Sequence, residues 1–496
     1  MRMHASAALL AGILTLSSGA VDAFAQATAA GTTTPIQYVV VIFDENNSFD
    51  HYFGTYPNAL NPAGEPSFTP APGTPGVNGM TPDLLFNNPN STQPYRLDRS
   101  VEVTCDNDNH YADEQKAYHG GLLDKFPEST NTAVGPGCPA GLVMGYYDGN
   151  TVTALWNYAQ HFAMSDNFFD TEFGTTVMGH LNLISGQTHT TGVTTISGKV
   201  ANGSVIANVE AGFDDCVTTA NGTPVQMTSR NIGDLLNAKG VSWGWFNADF
   251  PQSTNSQPIT TPCPSTYNSH YQPFQYYKST SNIHHLPPSS PGAIGTSADQ
   301  ANHNYSTNDF WTAANNGNMP AVSFLKATSS ETGHPANSSP LQEQLFLVST
   351  INALQKLPEW KNMVIMITYD DSDGWYDHVM PPIVNQSNDP GQDALLGTNG
   401  LCGTPASGAY LDRCGYGTRL PFLVISPYAR QNYVSHGLTD LTSITRFIED
   451  NWDLGRLGDQ SFDGLAGTIL DFFNFTSAPS TKTVLLNETT GEVLRK

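Results

Sequence analysis

Strands alternating with helices predict an α/β fold: a mostly parallel sheet sandwiched by helices, with long loop insertions. Three observations predict it. Short β-rich apolar runs recur along the chain, amphipathic helical stretches lie between them, and long Gly/Pro/Asn/Ser-rich segments interrupt both. Alternating elements of this kind pack as a parallel sheet covered on its two faces.

The elements follow in chain order. Residues 1–25 read as a secretory signal peptide: Arg2 gives a positive start, Ala5–Leu16 an apolar stretch, and Ala23-Phe24-Ala25 a cleavage site. That stretch is shorter than the about 20 residues a bilayer requires. The expectation is therefore an exported protein, periplasmic or extracellular, with no stable membrane insertion. Residues 26–496 are expected to form a single domain. Tyr38–Phe43, Met363–Thr368 and Leu420–Ser426 are buried strands, apolar throughout and too short for helices, with Ala321–Leu325 a weaker fourth. Ser339-Pro340-Leu341-Gln342 predicts a helix start, with Ser at the N-cap, Pro at N1 and Gln at N3. Leu345, Phe346, Val348, Ile351 and Leu354 are its expected apolar face, and a second helix is expected over Leu441–Trp452. Pro57–Pro94 and Gln252–Ser297 read as excursions from the core.

With 20 basic and 44 acidic residues the formal net charge is −24. Such a chain repels nucleic acid and anionic membranes, so neither is an expected partner. Any phosphate site must be made locally positive by a metal or by protonated histidine. Six cysteines in an exported chain favour disulfides, and six allow fifteen pairings, of which Cys402 with Cys414 is the most local. Oligomeric state leaves no mark in the sequence.

The acids fall where chemistry would need them. Val39–Phe43 runs into Asp44-Glu45-Asn46-Asn47-Ser48-Phe49-Asp50-His51, and Met363–Thr368 runs into Tyr369-Asp370-Asp371-Ser372-Asp373-Gly374. Ligands of open parallel sheets bind beyond the carboxyl ends of strands. Clustered oxygen donors there describe a hard-metal site, since adjacent carboxylates repel unless a cation or protons neutralise them. Turn chemistry alone would account for one such junction but not for two of this density. An EF-hand is excluded, because Tyr369 and Met380 would have to supply its terminal carboxylates. His110, His270 and His334 lie in polar loops and are further candidates. No P-loop and no His-Glu-x-x-His zinc motif is present.

Several blocks resemble a known family, the bacterial phosphoesterases that include phospholipases C and acid phosphatase A-like enzymes. They are Glu45-Asn46-Asn47-Ser48-Phe49-Asp50-His51-Tyr52-Phe53-Gly54-Thr55, Ser165-Asp166-Asn167-Phe168-Phe169, Phe173-Gly174-Thr175-Thr176, Gln272-Pro273-Phe274, Pro320-Ala321-Val322-Ser323-Phe324-Leu325 and Tyr369 to Val379. The resemblance implies an alkaline-phosphatase-like fold and one divalent cation, Ca²⁺, Mg²⁺ or Mn²⁺. It implies Glu45, Asn46, Asp370 and Asp371 as metal ligands, joined by a Thr176 nucleophile. The family's Phe-Gly-Pro turn is Phe173-Gly174-Thr175 here, which leaves Thr175 as the alternative nucleophile. His110, His270 and His334 match phosphate-contacting positions, and Tyr271 stands where the family often has a second histidine.

The substrate is then a small phosphorylated molecule or a phospholipid headgroup. The chain ends at Lys496 and lacks an amphipathic or basic lipid-gripping segment, which favours an acid phosphatase over a phospholipase C. Protonated histidines would give the phosphatase an acid-side optimum. A non-catalytic secreted metal- or ligand-binding protein is the alternative from another class.

Overall fold

The computed structural model describes residues 31–494 apart from 102, 132–137, 218–222, 254–258, 260–262, 396–400, 404 and 406. The signal peptide expected over residues 1–25 lies outside the described residues.

The centre is an eight-stranded sheet of β1 (Tyr38–Asp44), β2 (Ala163–Ser165), β3 (Trp243–Asn247), β4 (Asn304–Tyr305), β5 (Val322–Lys326), β6 (Met363–Tyr369), β7 (Phe422–Ile425) and β8 (Tyr433–Ser435). Their order is β4-β3-β5-β1-β6-β7-β2-β8. Every neighbouring pair is parallel except the two made by β7. The expected mostly parallel sheet is present, and all four strands read from the sequence belong to it.

Helices cover both faces, among them α1 (Phe49–Phe53), α2 (Tyr111–Tyr118), α3 (Thr153–His161), α4 (Thr176–Ser185), α5 (Ile232–Lys239), α6 (Thr307–Asn315), α7 (Pro340–Leu354) and α8 (Leu441–Trp452). Alternation along β1 assigns the faces. Val39, Val41 and Phe43 share a core with Val177 and Leu181 of α4, Leu236 of α5 and Ile444 of α8. Val40 and Ile42 share the other with Trp156 of α3, Phe310 of α6 and Leu347 and Ile351 of α7. A strand buried on both faces must be apolar at every position, and each such side chain contributes about 1.5–3 kcal/mol.

Helix α7 starts as the sequence predicts, with a reciprocal capping box between Ser339 and Gln342. Its buried stripe differs: Leu347, Val348, Ile351 and Leu354 face the core, whereas Leu345 is 44% exposed. The helix is turned because polar Glu343 and Gln344 also face inward. Glu343 accepts from the Tyr52 hydroxyl (2.8 Å) and Gln344 from the Ala154 amide (3.2 Å).

Three disulfides join Cys105 to Cys138, Cys216 to Cys263 and, as the spacing suggested, Cys402 to Cys414. Among the described residues no helix is long and apolar enough to cross a membrane.

Candidate active site

Strands β1 and β6 are paired through Asp44↔Tyr369, so the chain leaves both at the same level of the sheet. The two acidic segments therefore interlock. The Asn46 amide donates to Asp370 Oδ1 (3.0 Å), the Asn47 amide to the Asp371 carbonyl (2.9 Å), and the Asp371 amide to Asp370 Oδ1 (2.9 Å). Asn46 takes a left-handed backbone (φ 60°), which Asn tolerates better than most residues, and its Nδ2 donates to Asp373 Oδ1 (3.1 Å). Helix α4 comes down directly on this pair because Gly179 carries no side chain. A Cβ there would lie 1.9 Å from the Asp370 carbonyl oxygen.

That approach sets Thr176, the first residue of α4, beside the acids. Its hydroxyl donates to Asp371 Oδ2 (3.4 Å), which also accepts from Asn109 Nδ2 (3.0 Å). The preceding turn is tied down through α2. Glu114 accepts from the Gly174 amide (3.0 Å) and the Ser372 hydroxyl (2.5 Å), and burial pushes its carboxyl up to about 8. Thr175 Oγ is buried without a hydrogen-bond partner.

Glu45, Asn46, Asp370 and Asp371 are all at most 1% exposed. Burial raises Asp370 well above the usual carboxylate range, with Glu45 adding to it; burial and then Asp370 do the same to Asp371. Burial raises Glu45 too, against the opposing pull of Lys326. Asn46 Oδ1, Asp370 Oδ2 and Glu45 Oε2 have no hydrogen-bond partner, although buried oxygens of this kind are normally satisfied. Several unanswered, buried oxygen donors, with the His180 ring grouped beside Glu45 and Asp370, fit a divalent cation.

The three candidate histidines arrive on loops fastened to this cluster. His110 follows Asn109, which holds Asp371. His270 precedes Tyr271, whose ring stacks on His180 (5.9 Å). His334 follows Thr332, whose carbonyl accepts from the Glu45 amide (3.0 Å). The rings themselves make other contacts. His110 pairs with Asp108, which raises its pKa against the effect of burial, and its side chain is 63% exposed. His270 Nε2 lies 3.3 Å from Glu210. His334 Nδ1 meets the Pro335 carbonyl. The structure thus gathers Glu45, Asn46, Asp370, Asp371 and Thr176, and brings the histidine loops, but not direct histidine bonds, to them.

Sequence reasoning missed three residues. His180, fully buried one turn after Thr176, bonds the Thr176 carbonyl through Nδ1 (2.8 Å) and lies 3.6 Å from Asp370. Burial, reinforced by Lys326, pushes its pKa well below 6.5 and keeps it neutral. Its i+4 spacing from Thr176 was the available signal. Lys326, also fully buried, ends β5 and pairs with Glu45; a lysine directly following a buried strand was its signal. Asn109 closes the run Asp106-Asn107-Asp108-Asn109 directly before His110, and that neighbourhood was its signal. Gly240-Val241-Ser242-Trp243-Gly244 matches a Gly-x-Ser-x-Gly pattern, but Ser242 leads into β3 rather than out of a strand, and its hydroxyl accepts from the Ala321 amide (3.0 Å), so it forms no nucleophile elbow.

Phospholipase C A of Mycobacterium tuberculosis (strain H37Rv) is 27% identical over 469 residues, covering 91% of this chain and 79% of the relative. Non-hemolytic phospholipase C of Pseudomonas aeruginosa is 24% identical, covering 90% and 58%. Non-specific phospholipase C6 of Arabidopsis thaliana is 24% identical, covering 81% and 63%. Among solved structures, an alkaline phosphatase superfamily protein from Vibrio parahaemolyticus aligns over 75% of this chain and 74% of its own, at 10% identity and a TM-score of 0.30. The fold stands on the sheet itself, not on likeness at that level. The Phosphoesterase family model matches residues 36–455, most of the chain and all of the residues gathered here, so the protein belongs to the Phosphoesterase family and is a hydrolase acting on phosphate esters.

Proposed function

We propose that the protein is a metal-dependent phospholipase C, cleaving the phosphodiester of a phospholipid to diacylglycerol and a phosphorylated headgroup. The observation that carries phosphoester chemistry is the Thr176 hydroxyl on Asp371 amid buried oxygens without partners. The choice of phospholipid replaces the acid phosphatase favoured by chain length and by the lack of a lipid-gripping segment. Three relatives matched across most of this chain are phospholipases C, one of them covered over 79% of its length. The non-catalytic alternative is set aside by membership of a hydrolase family.

Glu45, Asn46, Asp370, Asp371 and the Thr176 hydroxyl would hold one divalent cation, and oxygen donors suit Ca²⁺, Mg²⁺ or Mn²⁺. Such an ion, when bound, favours the alkoxide and polarises the phosphoryl oxygen. The chain supplies the rest. Asn109 fixes Asp371, and His180 fixes the Thr176 backbone. The start of the ten-residue α4 places a partial positive charge beside Thr176 Oγ. Attack by Oγ forms a phosphodiester between Thr176 and the headgroup and breaks the bond to the glycerol oxygen, which leaves as the protonated alcohol. Water then cleaves the Thr–O–P bond and frees the phosphorylated headgroup. His110, His270 and His334 contact the phosphate. His110, whose pKa Asp108 raises, is the proton donor to the leaving oxygen. Three disulfides support export.

Headgroup release from phosphatidylcholine, compared with hydrolysis of a soluble aryl monoester, tests the reading with and without chelator and beside Thr176→Ala. Metal- and Thr176-dependent headgroup release is expected, with a loss of roughly 10⁴-fold or more in the variant. Fast monoester turnover with little headgroup release would restore the phosphatase, and unchanged activity in Thr176→Ala would remove Thr176 as nucleophile.

A further inference from the structure

Lys326 is 0% exposed at the carboxyl end of β5, the strand beside β1. Its ammonium pairs with Glu45 Oε1, reaches the Asp44 carbonyl (3.4 Å), and lies over the rings of Tyr271 (4.7 Å) and Phe43 (5.4 Å). Burying an ammonium is costly, and a hydrophobic residue of similar size would avoid that cost. The ion pair takes one Glu45 oxygen and leaves Oε2 without a partner, in a carboxylate that lies together with Asp370 and His180.

We infer that Lys326 is a positioning residue: it fixes the Glu45 carboxylate by one oxygen and places an ammonium beside the ligand carboxylates. The inference rests on the metal-dependent reading above. The ligand carboxylates Glu45, Asp370 and Asp371 would carry three negative charges when ionised, with buried Asp44 and Asp373 beside them. A divalent cation would offset two of these charges and the Lys326 ammonium one more. An anionic phosphodiester then meets a less negative cluster. The rings of Tyr271 and Phe43 hold the ammonium in place by cation–π attraction without competing for it as hydrogen-bond acceptors.

Lys326→Met, Lys326→Arg and the pair Lys326→Met/Glu45→Gln, each in the full-length protein, test this. In metal-free protein, Lys326→Met lowers the melting temperature, and adding Glu45→Gln restores most of the loss, because the unpaired charge is then gone. Calorimetric titration with Ca²⁺, Mg²⁺ and Mn²⁺ reads the second consequence. Lys326→Met binds whichever ion the wild type takes at least about tenfold more tightly, since the ligand set has gained net negative charge. Its kcat/KM nevertheless falls, and Lys326→Arg recovers part of it. A double variant no more stable than Lys326→Met, or metal affinity that drops with the ammonium, would overturn the inference and leave Lys326 a packing residue. Should the wild type bind none of the ions, the metal reading fails by itself, while the coupling of Lys326 to Glu45 is still decided in metal-free protein.

Discussion

Glu45 and Asp370 are each followed within a few residues by a second buried acid, Asp50 and Asp377, and the two pairs differ in what answers their charge. Arg419 runs between the second pair. Its Nε donates to Asp377 Oδ1 (3.0 Å) and its Nη2 to Asp50 Oδ1 (3.2 Å), while Nη1 bonds the carbonyls of Asn78 and Asp166 (2.8 Å each). His378 completes the group by bonding Asp50 Oδ2 through its amide (2.8 Å) and Nδ1 (2.6 Å). Although burial opposes it, His378 and Arg419 hold the Asp50 carboxyl below its usual range. Burial raises Asp377 as it raises the carboxyls of the Glu45–Asp370–Asp371 cluster, but of the two groups only the latter holds oxygens with no partner. Burial of acids therefore does not distinguish the two. Leaving that burial unanswered does, and it marks the cluster prepared for a ligand.

Substitutions should divide along the same line. Asp370→Asn keeps the Oδ1 that accepts from the Asn46 and Asp371 amides and replaces only the partnerless oxygen. Loss of one ligand charge is expected to cost roughly 10³-fold in kcat, several kcal/mol of transition-state stabilisation. The metal-free melting temperature should stay level or rise, because a buried, unanswered charge has been removed. A fall in both would erase the comparison. Arg419→Met should do the reverse. Two buried carboxylates lose their cation, and urea unfolding should show a cost of about 3–5 kcal/mol, with activity per folded molecule largely kept.

Removing the ion separates the clusters more gently. Chelation is expected to take about 2–3 kcal/mol from the wild type if the ion was present near a hundred times its Kd. Arg419→Met should respond to chelator as the wild type does, and Asp370→Asn should barely respond. Equal sensitivity in both variants would mean that the cation sits elsewhere.

How much of this the sequence discloses depends on whether a feature is local. The runs Tyr38–Phe43 and Met363–Thr368 are legible because strands covered on both faces are apolar at every position. The acids directly after them inherit a location from the strands they follow. The antiparallel direction of β7 is not legible, since hydrophobicity carries no sense of direction. Nor are Ala163–Ser165, Asn304–Tyr305 and Tyr433–Ser435, which are too short to show a period. His180 is hidden because every residue of α4 is buried, so no polar face sets it apart. Lys326 reaches Glu45 only through the pairing of β5 with β1, across some 280 residues of chain. Arg419 likewise meets partners distant in sequence: Asp50 of α1, Asn78, Asp166 and Asp377.

The smallest expected effect concerns His378, and it tests whether the second cluster is purely structural. Burial disfavours the charged ring, but the Asp50 carboxylate outweighs it and raises the His378 pKa above 6.5. A raised histidine contributes stability that is fully present below pH 6.5 and fades as pH rises through the folded-state value. Asp50, being lowered, contributes in the opposite sense, above its ordinary value near 3.8, and loses that contribution in acid. The difference in unfolding free energy between wild type and His378→Gln, followed from about pH 5.5 to about pH 9, should therefore be largest at the acid end. About 1 kcal/mol is expected there, as for one hydrogen bond, shrinking as the ring loses its proton. Turnover normalised to folded protein should show no matching pH dependence, because Arg419 still answers Asp50 and Asp377. A shift of the pH–rate profile in His378→Gln would instead connect the two clusters and make the fully paired one part of the catalytic machinery.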